Sequence, residues 1–138
     1  MNSTLVAQRL KQIAVCIEEL TPLLPLSAGE FRTLPAHFRL AERDIQLVVD
    51  SAIDINNHLI LGAGQAPPDR YYETFLMVEG LKILPHSLAL RLARSTGLRN
   101  RIVHEYERVD LHLVHRSLPA FLRDYSEYVR IVRKRLPR

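Results

Sequence analysis

The sequence predicts an all-α bundle of about four to five antiparallel helices, and three observations predict it. Apolar residues recur every three to four positions through successive segments, no segment alternates as a half-buried strand does, and turn-favouring glycine is scarce, with five in 138 residues. Hydrophobic residues make up 47% and charged residues 25%, the balance of a chain that folds around one core rather than staying disordered. Residues 1–138 read as one domain, with no internal repeat or low-complexity stretch.

The elements follow in order. Val6, Leu10, Ile13, Ile17, Leu20 and Leu24 form the stripe of a first helix, with Asn2 or Ser3 placed to cap it and Pro22 and Pro25 to end it. A connector around Ser27-Ala28-Gly29 leads to the longest helix, about residues 36–61, whose stripe is Ala41, Ile45, Val48, Ala52, Ile55 and Leu59 and which Gly62 and Gly64 break. Residues 63–69, with Pro67-Pro68, read as a loop. Asp69 is placed to cap a third helix through Phe75, Leu76 and Val78 that falters near Gly80. Pro85 sits near the start of a short fourth helix, residues 84–95, because proline tolerates a first turn. Thr96-Gly97 reads as a helix stop. Asp110 then caps a last helix with Leu111, Val114, Leu118, Leu122, Tyr125, Val129, Val132 and Leu136 on its apolar side, and Pro119 should kink it without ending it.

Several function classes are excluded. No run approaches the ~20 apolar residues of a membrane span, and the N-terminal apolar positions are interleaved with Gln8, Arg9, Lys11 and Gln12, unlike a secretory signal. The one cysteine, Cys16, has no internal disulfide partner and lies among apolar residues, which reads as an inert buried thiol in a reducing compartment. The expectation is a soluble cytoplasmic protein. The net charge of +4 hides an asymmetry: residues 1–90 carry seven basic and ten acidic side chains, a balance of −3, and residues 91–138 carry twelve and five, a balance of +7. Such a basic third suits a polyanion, since Arg and Lys that neutralise phosphates release counterions, although a solvated helix face has the same composition.

The basic third contains one dense constellation, Arg99-Asn100-Arg101-Ile102-Val103-His104-Glu105-Tyr106, followed by Arg108. On a helix Asn100 and His104 share a face, and Arg101 and Arg108 neighbour the histidine from three before and four after. Arg99, five positions away, lies about 140° round a regular helix and meets the imidazole only obliquely or through local irregularity. These groups can cleave RNA without a metal. His104 can move a proton to or from a ribose 2′-hydroxyl or a leaving oxygen. Arg99 can grip the scissile phosphate and stabilise its developing charge. Asn100 can orient the histidine or a phosphate oxygen, Arg101 can support the phosphate, and Tyr106 can stack on a base or donate its hydroxyl.

Arg-Asn-x-x-x-His-x-Tyr after Thr96-Gly97-Leu98 resembles the signature of HepT-like proteins of the HEPN superfamily. The resemblance extends to the long helix with Glu42-Arg43-Asp44-Ile45-Gln46-Leu47 and Ile53-Asp54-Ile55-Asn56-Asn57-His58, to the Tyr72-Glu73-Thr74-Phe75 helix, and to the kinked final helix. It implies a HEPN-type bundle and a metal-independent endoribonuclease acting on cellular RNA, tRNA being a favoured class, with Arg99 and His104 in the cleavage site and no cofactor. It implies the toxin of a toxin–antitoxin pair, a homodimer or higher oligomer, and an MntA-like nucleotidyltransferase antitoxin that silences it by transferring AMP to Tyr106. An added phosphate there would fill the substrate phosphate position and cancel its charge. The rival readings are a HEPN subunit that binds a nucleotidyltransferase partner or nucleotide and cuts nothing and, more distantly, a structural helical-bundle dimer whose basic face binds nucleic acid without cutting it. Binding needs the arginines but not the histidine, so Arg99 with His104 favours the enzyme.

Remaining polar groups are weighed against these. Asp54 and His58, four apart with Asn57 beside them, have ligand spacing, but a third metal ligand is not evident. Asp54 is expected instead to face the motif and pair with Arg99 or Arg101. Tyr71-Tyr72 opens a helix and reads as packing or dimer contact before it reads as a base platform. The cluster Arg130, Arg133, Lys134, Arg135 and Arg138 reads either as an RNA-backbone contact or as a solvated helix end. His37, His86, His112 and His115 have no partner pattern and read as surface or boundary residues.

Overall fold

The computed structural model describes residues 2–105 and 109–137. Among them there are six α-helices and no strand: α1 Ser3–Leu20, α2 Ala28–Thr33, α3 Pro35–Gly62, α4 Tyr71–Gly80, α5 His86–His104 and α6 Leu111–Arg133. A single 3₁₀ turn, Thr21–Leu23, follows α1 where Pro22 removes a backbone donor. No helix among the described residues is long and apolar enough to cross a membrane.

Caps explain most boundaries. Asn2 accepts from the Leu5 amide at 3.1 Å and starts α1, and Asp110 accepts from His112 and Leu113 and starts α6. Helix α3 stops on Gly64, whose φ of 80° lets Gly64 N–H reach the Leu61 carbonyl and Gln65 N–H reach that of Ile60. The sequence reading missed α2, although its signal was present: Ser27 and Glu30 form a reciprocal capping box, and the Ser27 backbone N–H, followed by its side-chain hydroxyl, stabilises the Glu30 carboxylate and holds that carboxyl below the usual range.

Two expectations fail. Asp69 does not cap α4; the N-cap position is Arg70, without a side-chain cap. The helix stop at Thr96-Gly97 is absent, and α5 runs unbroken to His104. Glycine costs a helix about 1 kcal/mol relative to alanine, which the continuing apolar face outweighs: Leu88, Ala89, Leu92, Ala93 and Ile102 are buried on either side of the site. Thr96 satisfies its hydroxyl inside the helix by donating to the Ala93 carbonyl at 2.7 Å. Pro119 lies within α6, as expected.

Helix α3 is the scaffold. It packs on α1 and on α4, α5 and α6. Its buried stripe includes Ala41, Ile45, Val48, Ala52 and Ile55, all 0% exposed, so each full burial contributes on the order of 1.5–3 kcal/mol for the larger side chains. An aromatic stack of Phe75, Tyr128, Tyr125 and Phe121 ties α4 to α6, with ring centroids 4.7–6.1 Å apart.

Candidate active site

The wall that faces α5 depends on a buried hydrogen-bond chain. Tyr128 Oη donates to Asn56 Oδ1 at 2.6 Å, Asn56 Nδ2 donates to Thr74 Oγ1 at 3.0 Å, and Thr74 Oγ1 donates to the Tyr71 carbonyl at 2.8 Å. One residue each from α6 and α3 thereby fixes the first turn of α4. Burial keeps the Tyr128 phenol protonated, its pKa well above the ordinary tyrosine value, so it stays a donor.

Against that turn, α5 presents the motif. A cleft of about 580 Å³ opens between Arg70, Tyr71 and Tyr72 on one side and Arg99, Asn100 and His104 on the other. Arg99 is the most constrained of these side chains, 13% exposed. Its Nε and Nη2 donate to the Asp50 carboxylate at 2.8 and 3.4 Å, its Nη1 donates to Asn100 Oδ1 at 3.2 Å, and its guanidinium carbon lies 5.2 Å from the Tyr71 ring centroid. A carboxylate, an amide and an aromatic face therefore fix the plane of one guanidinium, which leaves its remaining N–H groups a defined direction in which to meet an anion. His104 ends α5 on the same cleft. Five helical positions from Arg99, it reaches the same opening across a regular helix end, so no local irregularity is needed.

The sequence-derived candidates divide accordingly. Arg99, Asn100 and His104 come together. Arg101 is exposed and does not line the cleft. Tyr106 and Arg108 lie outside the described residues. The expected pairing of Asp54 is incorrect: Asp54 accepts from Arg9 Nε at 3.0 Å, and the acid that meets Arg99 is Asp50, one turn earlier on the same face of α3. Sequence spacing places both acids on that face, but only the axial offset of α3 against α5 decides between them. Tyr71 and Tyr72 are not packed away, remaining 46% and 40% exposed at the cleft. In the basic C-terminal cluster, Arg130 pairs with Glu127 and Arg135 donates to the Lys82 carbonyl.

A second polar cluster lies away from the cleft, where α1 meets α3. The ligand-type atoms of Cys16, Glu19 and Asp44 lie within 4.8 Å of one another. Asp44 is fully buried and pairs through Oδ1 with Arg43 at 3.3 Å, while its Oδ2 has no hydrogen-bond partner. Burial, reinforced by the Glu19 carboxylate, raises its pKa to about 6, and burial pushes the Cys16 thiol up to about 11, so the thiol is the unreactive form at neutral pH.

The profile of the family described as "Ribonuclease HepT-like" matches residues 13–132 of the chain. The chain is 30% identical over 130 residues, 94% of its length and 88% of the relative's, to the tRNA nuclease HepT of Aphanizomenon flos-aquae. It is 23% identical over 90 residues, 65% of its length and 68% of the relative's, to the mRNA nuclease HepT of Shewanella oneidensis. Among solved structures, the tri-AMPylated Shewanella oneidensis HEPN toxin in complex with MNT antitoxin superposes with a TM-score of 0.86 over 97% of this chain and 99% of that one. At 20% identity this is a likeness of fold.

Proposed function

Because the chain belongs to the HepT-like ribonuclease family, we propose that it is a metal-independent endoribonuclease toxin whose cutting site is the α4–α5 cleft. The observation that carries the reading is the cleft itself, where Arg99, Asn100 and His104 converge and Asp50 and Tyr71 hold Arg99. In this scheme a ribose 2′-oxygen attacks the adjacent phosphorus and the 5′-oxygen leaves. Arg99 binds the non-bridging phosphate oxygens and meets the charge that grows on them. His104 moves the proton, taking it from the 2′-hydroxyl or giving it to the leaving oxygen. Asn100 acts through Arg99, whose guanidinium it helps to orient.

The partner in this reading is a nucleotidyltransferase antitoxin of the MNT type, the substrate is cellular RNA in the cytoplasm, and two protomers face each other as a homodimer. Tyr106, two residues beyond His104, takes AMP, so that the new phosphate competes for Arg99 and blocks the cleft. Wild type and His104→Ala are compared for cleavage of tRNA and mRNA in EDTA and for host growth. The reading expects wild type to cut and to slow growth, and the variant to lose about 10²–10⁴-fold in rate. A wild type that cuts nothing, or a variant that cuts as fast, removes it. Mass spectrometry after co-expression with the antitoxin tests the switch, which an unmodified Tyr106 would contradict.

A further inference from the structure

Holding Arg99 gives Tyr71 one role in the cleft, but phosphate chemistry leaves the open surface of Tyr71 and its neighbour Tyr72 unexplained. Elsewhere among the described residues the aromatic side chains go inside: Phe31, Phe75, Tyr125 and Tyr128 are 0% exposed, Phe121 is 5%, and Phe38 packs partly buried against the core. The two exposed tyrosines stand together on the rim of the cleft that holds Arg99 and His104. Neither belongs to the motif, and both come from a different helix. Tyr71 is also firmly placed, since its carbonyl is the end of the Tyr128–Asn56–Thr74 chain. Its ring carries the Arg99 guanidinium at 5.2 Å, and the residue still keeps nearly half its surface open.

A partly exposed aromatic residue on a fixed backbone, beside a phosphate-binding arginine, is an arrangement by which proteins hold single-stranded RNA. The cation takes the backbone, and the ring takes the face of a base that has left its stack. We propose that Tyr71, with Tyr72 beside it, is the stacking platform for the base of a nucleotide flanking the scissile phosphate, and that the cleft therefore selects unpaired RNA. The inference rests on the ribonuclease reading and adds a base subsite to it. A paired and stacked base offers no free face to the ring, so a duplex of the same sequence is excluded. Any face-on stacking tolerates all four bases, so the platform selects strandedness rather than sequence.

The test uses the full chain carrying His104→Ala, which keeps the RNA intact, and a labelled single-stranded oligoribonucleotide whose dissociation constant is read by fluorescence anisotropy. An abasic position is scanned along the strand, and Tyr71→Leu and Tyr71→Phe are added to the same background. Tyr71→Leu is expected to weaken binding about 5- to 150-fold, the range of one lost base stack, and Tyr71→Phe by about twofold or less. One abasic position should weaken the parent by a similar factor and weaken Tyr71→Leu no further. That non-additivity separates stacking from any effect of Tyr71 on Arg99, which would leave the abasic penalty in place. Equal abasic penalties in parent and Tyr71→Leu, or a duplex bound as tightly as the single strand, would overturn the proposal. So would a Tyr71→Leu whose only change is its sedimentation coefficient, the mark of a protomer contact. The ribonuclease reading fails separately, on a wild type that cuts no RNA, and the binding scan reports on the platform in that event too.

Discussion

Asp44 and Asn56 occupy the same helix, both are 0% exposed, and their surroundings are opposite. Asn56 uses its carbonyl and its amide in one continuous chain from Tyr128 to Thr74. Asp44, toward α1, has an unpartnered oxygen and a neighbouring carboxylate. A buried polar group with its partners rigidifies what it joins, and one without them costs free energy. The satisfied group lies behind the cleft wall, where geometry must be held. The unsatisfied one lies at a seam that carries none of the proposed chemistry. Polar burial in this fold thus has two results, a fixed site in one place and a pH-sensitive stability in the other.

The largest expected effect comes from breaking the satisfied network. Asn56→Ala leaves the Thr74 hydroxyl without its donor and opens a cavity, and it should cost about 2–4 kcal/mol in urea unfolding. Cleavage should fall with it at temperatures where the protein is still folded, because the start of α4 is released. A variant that unfolds earlier and cuts normally when folded would separate the network from the site.

Asp44→Asn should act in the other direction. The folded carboxyl has a pKa of about 6 against an ordinary 3.8. Below pH ~4 both states hold the proton and there is no penalty. Between about pH 4 and 6 the unfolded chain ionises first, so stability falls as pH rises, and above pH ~6 the full penalty remains. The amide removes the ionisation, so the variant should gain roughly 1–3 kcal/mol at pH 7–8, little at pH 4, and lose the pH slope between. Thermal unfolding across pH 4–8 measures this, and an unchanged slope would mean that Asp44 is not the group responsible.

A third contrast separates holding the fold from holding the site. Asp50 is 37% exposed and meets Arg99 near the surface, so Asp50→Ala should change stability by less than about 1 kcal/mol. It should nevertheless slow RNA cleavage about tenfold through kcat, since Arg99 loses the carboxylate that fixes its plane. Asp50→Glu should recover part of that rate. Asp54→Ala, one turn along and paired with Arg9, is the control that should not affect cleavage. The smallest effect is expected at Lys82, which closes α4 with a φ of 66°. Lys82→Gly should add about 1 kcal/mol of stability, because a non-glycine residue in the left-handed region is strained.

The same contrast explains what the sequence could disclose. Periodicity is a property of one helix, so the stripe of α3 and the capped start of α6 were legible, and so was the cluster of Arg99, Asn100 and His104. The Ser27–Glu30 capping box was equally local and was overlooked. The stop read at Thr96-Gly97 failed because a glycine weighs only about 1 kcal/mol against a buried face that continues to Ile102. Asp50 and the exposed tyrosines were hidden for another reason. Which acid meets Arg99, and whether Tyr71 faces core or cleft, depends on how α3, α4 and α5 slide past one another, and no single segment encodes that offset.

The central claim is that the Arg99–His104 cleft cuts RNA through the ribose 2′-oxygen with no metal. It is tested most directly on an RNA carrying one 2′-deoxyribose at the nucleotide whose 3′ phosphate wild type cleaves, assayed in EDTA beside its all-ribose twin. The account predicts that the twin is cut at that bond, leaving a 2′,3′-cyclic phosphate and a 5′-hydroxyl, and that the deoxy strand is intact there. Cleavage of the deoxy strand at the same bond, or loss of all cutting in EDTA, would contradict it.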